Sequence, residues 1–134
     1  TPATAKTAEA LEIEPRTPVT RIRRLRLGGG QPIGLQTAHL RIDRVPDLPT
    51  AALADGSLYA LLRDRYGIVA TAAEEVYRVG GVSRADADVL DLGRGAPVFL
   101  VERIARDEHG PFEFTTSTMR GDRYEIRSSL APAR

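Results

Sequence analysis

The run Arg21-Ile-Arg-Arg-Leu-Arg26 puts four guanidinium groups into six residues. Guanidinium forks suit carboxylate and phosphate, which they bind through paired, charge-assisted hydrogen bonds. If the run is a strand, alternate side chains share a face. Thr20, Ile22, Arg24 and Arg26 then lie together, opposite Arg21, Arg23, Leu25 and Leu27. A second segment carries Phe99, Val101, Arg103 and Ala105 on the matching face, which is apolar apart from Arg103. Arg24, Arg26 and Arg103 therefore fall where core-facing side chains are expected. A buried arginine needs an anionic partner. An internal carboxylate and a bound anionic ligand both satisfy that need, and the sequence leaves both open.

Other residues can contribute polar contacts. Glu113, Thr115, Ser117 and Met119 alternate along one face of a later segment, and Gln36 holds the place of Thr115 in an earlier one. A carboxylate with small hydroxyls fits a half-solvated strand, and equally a hydroxylated ligand. Covalent and metal chemistry find little support. There is no cysteine, and the two histidines, His39 and His109, show no ligand or triad spacing. Gly28-Gly-Gly30 lacks the Lys-Ser/Thr of a phosphate loop and reads as a turn. Arg120-Gly-Asp122 reads as a bend. No catalytic residue, metal or cofactor is expected.

The elements that position these groups come in two copies. Shifted by 79 residues, Ala8–Leu40 falls on Ala87–Met119 without a gap, with 7 of 33 positions identical. Ala8 meets Ala87, Leu11 meets Leu90, Pro18-Val19 meets Pro97-Val98 and Arg24 meets Arg103. Each copy reads helix, turn, strand, turn, strand. The first has a helix to Leu11, a strand over Pro18–Leu27 and a return over Gln31–Ile42. The second has a helix over Arg84–Leu92 capped by Ser83, a strand over Pro97–Arg106 and a return over Phe112–Met119. Between them lie a helix over Leu58–Arg65 capped by Ser57, then a strand over Ile68–Val79 closed by Gly80-Gly81. Tyr124–Leu130 reads as a last edge strand and Ala131–Arg134 as a loose tail. The sum is one α+β domain on a mainly antiparallel sheet, spanning 1–134. Two half-domains around a pseudo-two-fold axis leave a cleft suited to a small ligand.

Composition bounds the function classes. A chain of 134 residues can bury one core. A formal net charge of +1, with few aromatics among the basic residues, argues against nucleic-acid binding by this segment. No apolar run approaches a membrane span. The chain starts at Thr1 rather than Met, which fits a piece of a longer protein.

An ordered set of short motifs resembles a known family. Arg24-Leu-Arg-Leu with Gln31-Pro-Ile33, Ser57-Leu-Tyr59, Tyr66-Gly-Ile68, Val101-Glu-Arg103, Gly110-Pro-Phe-Glu113 and Met119-Arg-Gly-Asp-Arg-Tyr124 occur in the order seen in UTRA domains. These are the effector-binding domains of GntR-superfamily, HutC-type bacterial transcription regulators. The resemblance implies a chorismate-lyase-like fold, a homodimer, cytoplasmic location and a small-molecule effector. It also implies operator DNA binding only through an N-terminal winged helix-turn-helix that this chain lacks. In amino-sugar-responsive members the matching effector contacts are Arg24, Arg26, Gln36, Glu113 and Met119. Gln36 replaces a carboxylate and Met119 a tyrosine, so an anionic effector such as a sugar phosphate or carboxylate metabolite fits better than an amino sugar. Arg103, the repeat mate of Arg24, joins the set. The same fold admits a second class, a chorismate-lyase-like enzyme acting on a small carboxylate.

Overall fold

A computed structural model of the chain describes residues 1–53 and 57–132. The order is α1 (Ala5–Leu11), β1 (Val19–Gly28), β2 (Gln31–Arg41), a 3-10 turn at Thr50–Leu53, α2 (Leu58–Tyr66), β3 (Ala72–Gly81), α3 (Arg84–Val89), β4 (Pro97–Asp107) and β5 (Gly110–Arg120). The strands form one sheet in the order β1-β2-β5-β4-β3, and every neighbouring pair is antiparallel. The α+β expectation holds: five antiparallel strands form the sheet, with helices on its faces.

The 79-residue repeat is structural, and it runs further than the identities do. Thr37 of β2 stands opposite its own repeat mate, Thr116 of β5, so a pseudo-two-fold axis passes between them. Arg24 pairs with Gln36 as Arg103 pairs with Thr115. The bulge at Arg26/Leu27 recurs at Ala105/Arg106. Thr4 and Ser83 each cap a helix by accepting from the N–H three residues on. Glu12, the cap of α1, and Asp91, one residue past the cap of α3, both adopt the left-handed region at φ 56°. Arg16 at φ 70° is matched by Gly95 at φ 72°.

Helices α1 and α3 lie on one face of the sheet. Leu11 and Ala8 pack with Val19 and Phe114, while Leu90 and Ala87 pack with Val98 and Leu35. On the other face α2 breaks the symmetry. Its Leu58 and Leu62 join Ile22, Ala38, Leu40, Ala105 and Phe112 in the largest apolar cluster. That covers one end of the face and leaves the other end open.

Three expectations need correction. Residues 68–71 are not strand: Ile68 donates to Leu62 O and is buried beneath α2, so the chain reaches the sheet edge only at Ala72. Gly80 and Gly81 lie inside β3, and α3 stops at Val89 with Leu90 as its cap. Residues 124–130 form no strand. They follow β5, whose two edges are already paired with β2 and β4, so no free edge adjoins them. The last two residues of the expected tail, 133 and 134, lie outside the described residues.

The repeat also shows where the halves diverge. Arg120 forks onto Asp122 through Nε and Nη2, and its Nη1 donates to Leu90 O and Asp91 O at the end of α3. Its mate Arg41 makes the same fork to Asp43 but is 26% exposed against 7% for Arg120. The residue between explains this. Gly121 donates to Pro97 O at 3.1 Å, and a Cβ there would sit 2.8 Å from that oxygen. Ile42 holds the matching place and lines a concavity with Glu12, Ile13 and Pro18. Gly121→Ala is therefore expected to cost about 1–3 kcal/mol through overpacking against backbone. Gly93→Ala, with nothing within 4 Å of its Cβ, should be near neutral. Urea midpoints of the two variants check this; equal midpoints would contradict the close-approach account.

Candidate ligand-binding site

The open end of the α2 face carries cross-strand rows that bring the candidate residues together. One row is Arg24, Gln36, Ser117, Val101 and Tyr77; the next is Ile22, Ala38, Thr115, Arg103 and Glu75. Arg24 and Arg103 thus flank the pseudo-axis as repeat mates. Two adjoining concavities result. One of about 250 Å³ is lined by Arg24, Arg26, Gln36, Ser57, Leu58, Tyr59, Arg103 and Glu113. The other, about 120 Å³, is lined by Gln36, Glu75, Val101, Arg103, Thr115, Ser117, Met119 and Tyr124. Gln36 and Arg103 belong to both, so all six candidate residues face one composite site.

Glu113 is 1% exposed, between Leu40 and Ala105 on the neighbouring strands. A carboxylate there needs partners. Tyr59 OH donates to its Oε1 at 2.8 Å, and Arg103 Nη2 stands 3.6 Å from the same oxygen. The Arg103 guanidinium carbon lies 5.2 Å from the centre of the Tyr59 ring, a cation–π geometry. Arg103 is thereby held by Glu113 and Tyr59. Its buried Nε nevertheless has no hydrogen-bond partner, and neither has the buried Thr115 Oγ1.

The two β1 arginines differ. Arg24 is half-buried, and its pKa is lowered by burial and by neighbouring Arg26, with Glu113 acting in the opposite sense. Arg26 is exposed, contrary to the core-facing expectation. It precedes the bulge at the hairpin end of an edge strand. Met119 is buried, its sulfur lying over Gly34, where a Cβ would come within 2.3 Å of Sδ. It forms an apolar wall.

Sequence reasoning missed Tyr59, Glu75 and Tyr124. Tyr59 adjoins the Ser57 cap at the margin of the Leu58/Leu61/Leu62 stripe, where a phenol can reach across to a carboxylate; that was its available signal. Glu75 and Tyr124 carried none, because their approach depends on how β3 and the segment after β5 are placed. A larger concavity, about 850 Å³, lies elsewhere, between Glu12, Ile13, Pro18, Arg41 and Ile42. None of the six candidates lines it. Among the described residues no three His, Asp or Glu groups are placed to hold a metal.

The Tyr59–Glu113 bond gives a pH test. Burial first, then the charge of Glu113 and the hydrogen bond to it, hold the Tyr59 phenol above the usual tyrosine range. A raised folded-state pKa gives stability that is complete below the unfolded pKa of about 10 and lost as pH climbs through the folded value. Wild type should therefore lose more unfolding free energy than Tyr59→Phe between about pH 9 and about pH 11. At neutral pH the variant should be less stable by roughly 1.5–3 kcal/mol. Parallel slopes in urea titrations across that range would sink the assignment.

Comparison with known proteins agrees with the fold and the motif order. The UTRA domain family model matches residues 1–125. The HTH-type transcriptional repressor PhnF of Mycolicibacterium smegmatis is 30% identical over 117 residues, 87% of this chain and 48% of PhnF. The HTH-type transcriptional regulator YurK of Bacillus subtilis is 29% identical over 105 residues, 78% of this chain and 43% of YurK. The HTH-type transcriptional repressor NagR of Bacillus subtilis is 26% identical over 107 residues, 79% of this chain and 44% of NagR. The chain thus spans less than half the length of these relatives. The solved effector domain of PhnF from Mycobacterium smegmatis superposes with a TM-score of 0.91 at 26% identity, covering 98% of this chain and 82% of that one. A GntR-family regulator from Enterococcus faecalis gives a TM-score of 0.87 at 21% identity, covering 97% and 94%, a likeness of fold alone. By its matched length, its sheet topology and these relatives, the chain belongs to the UTRA domain family of GntR-type transcription regulators.

Proposed function

We propose that this chain is the effector-sensing and dimerisation domain of a DNA-binding transcription regulator, and that its effector is a small anionic metabolite. The observation that carries the reading is the Arg24/Arg103 pair astride the pseudo-axis, with Arg103 Nε and Thr115 Oγ1 buried and unsatisfied. An anion bearing hydroxyls, such as a sugar phosphate or a hydroxylated carboxylate, supplies acceptors for both. Arg24 and Arg26 would fork onto the charge, Gln36 and Ser117 would orient hydroxyls, and Met119 would pack on the carbon skeleton. Binding would draw α2 toward the sheet through Tyr59, and a shift between open and closed states would reach operator-reading heads elsewhere in the full protein. Such a regulator acts in the cytoplasm, beside the chromosome. That the relatives are transcriptional regulators and repressors favours sensing over the enzymatic alternative, in which the same arginines would hold a carboxylate substrate for turnover.

Calorimetry of anionic metabolites against wild type and Arg24→Ala tests this. The variant should lose roughly ten- to hundred-fold in affinity, the equivalent of about 1.5–3 kcal/mol for a charge-assisted bond. Unchanged affinity with only a lower melting temperature would make Arg24 a purely structural residue. The 134-residue chain alone, at net charge +1, should show no salt-sensitive binding to duplex DNA in an anisotropy titration.

A further inference from the structure

We infer that two copies of this chain join by antiparallel pairing of β3 against β3, centred on Val76. The inference rests on the dimeric reading above and assigns it a surface and a register. β3 pairs with β4 along one side only, and nine of its ten residues are exposed. Ten consecutive pairs with β4 run without a bulge. The strand contains neither proline nor lysine, the residues that commonly protect an edge. Val76 and Val79 are 46% and 75% exposed. The opposite edge, β1, is guarded by a bulge and by Arg21 and Arg23, which would repel a second β1.

Symmetry then selects the register. Two strands pair side by side and antiparallel only about a two-fold axis normal to the sheet, which sets one residue opposite itself. Centring on Glu75 puts like charges together. Centring on Tyr77 sets Glu74 against Gly80 and leaves Arg78 against Val76. Centring on Val76 sets Glu74 against Arg78 of the partner subunit twice and Val76 against its own copy, on one face. On the other face Glu75 meets Tyr77 of the partner subunit, and Ala73 meets Val79 of the partner subunit. Opposite-charge and apolar cross-strand pairs are the stabilising ones.

The register also ties the interface to the ligand site. Glu75 lines the smaller concavity and accepts from Tyr77 OH at 2.9 Å within one chain. The joined sheets would present both ligand sites on one side.

The chain has no cysteine, so Val76→Cys gives an unambiguous probe. Directly opposed residues of antiparallel strands stand about 4.5–5.5 Å apart at Cα, within disulfide reach. Mild oxidation should convert most of Val76→Cys to a covalent dimer and leave Arg21→Cys, on the β1 edge, monomeric on denaturing gels. In sedimentation equilibrium Arg78→Glu should weaken the dimer at least ten-fold, and Glu74→Arg combined with Arg78→Glu should recover most of that loss. A dimer that resists Val76 cross-linking, or a double variant no better than the single, would overturn this interface while leaving dimerisation itself standing. A wild-type chain that binds its anion calorimetrically yet stays monomeric at every concentration would overturn the interface and leave effector sensing intact.

Discussion

Thr37 facing Thr116 fixes more of this molecule than any other contact. Once β2 and β5 pair in that register, the offset of 79 residues obliges every other repeat mate to sit symmetrically. Arg24 and Arg103 then flank the centre from opposite sides, the hairpins carry their bulges at equal distances, and α1 and α3 fall on the same face. A slip of one residue would turn each of these side chains to the wrong face. The apolar clusters on the helix side guard the register, since Leu35, Phe114, Val19 and Val98 can be buried only in this alignment.

Symmetry alone would give two equal half-sites. The segment between the copies prevents that. α2 closes over the Leu40/Ala105 end of the opposite face and delivers Tyr59 to Glu113, so one arginine of the pair, Arg103, is tied to a carboxylate and an aromatic ring. Arg24 stands farther from that carboxylate's cover and beside Arg26, with its charged form disfavoured by both burial and its neighbour. A duplicated scaffold thereby places its two mated guanidiniums in unlike electrostatic surroundings.

Much of this was legible in the chain. The strand alternation placed Arg24 and Arg103 on one face, the ungapped repeat announced the pseudo-axis, and Ser57, Ser83 and Gly67 marked helix ends where they occur. What escaped depended on tertiary placement. Tyr124–Leu130 has the composition of a strand, but its route is decided by the paired edges of β5. Ile68 looks like a strand residue and is instead part of the floor beneath α2. Arg26 shares a face with Arg24, yet it stands exposed at the hairpin end of an edge strand. Alternation gives a side chain its face; only packing decides what covers that face.

The same distinction bears on the edges of the sheet, because the repeat mate of β1 is the interior strand β4 and not β3. Pro2 bridges to Pro18 as Gly81 pairs with Pro97, so Pro2 holds the place of the last residue of β3. The β1 side presents arginines, while the β3 side presents Val76 and Val79 between glutamates and an arginine. A row of like charges favours separation from its copy. A strand with carboxylates at one end, a cation at the other and an apolar centre is complementary to itself when reversed. Among the described residues β3 is therefore the edge whose charge pattern is complementary when reversed, and it lies beside β4, which carries Arg103.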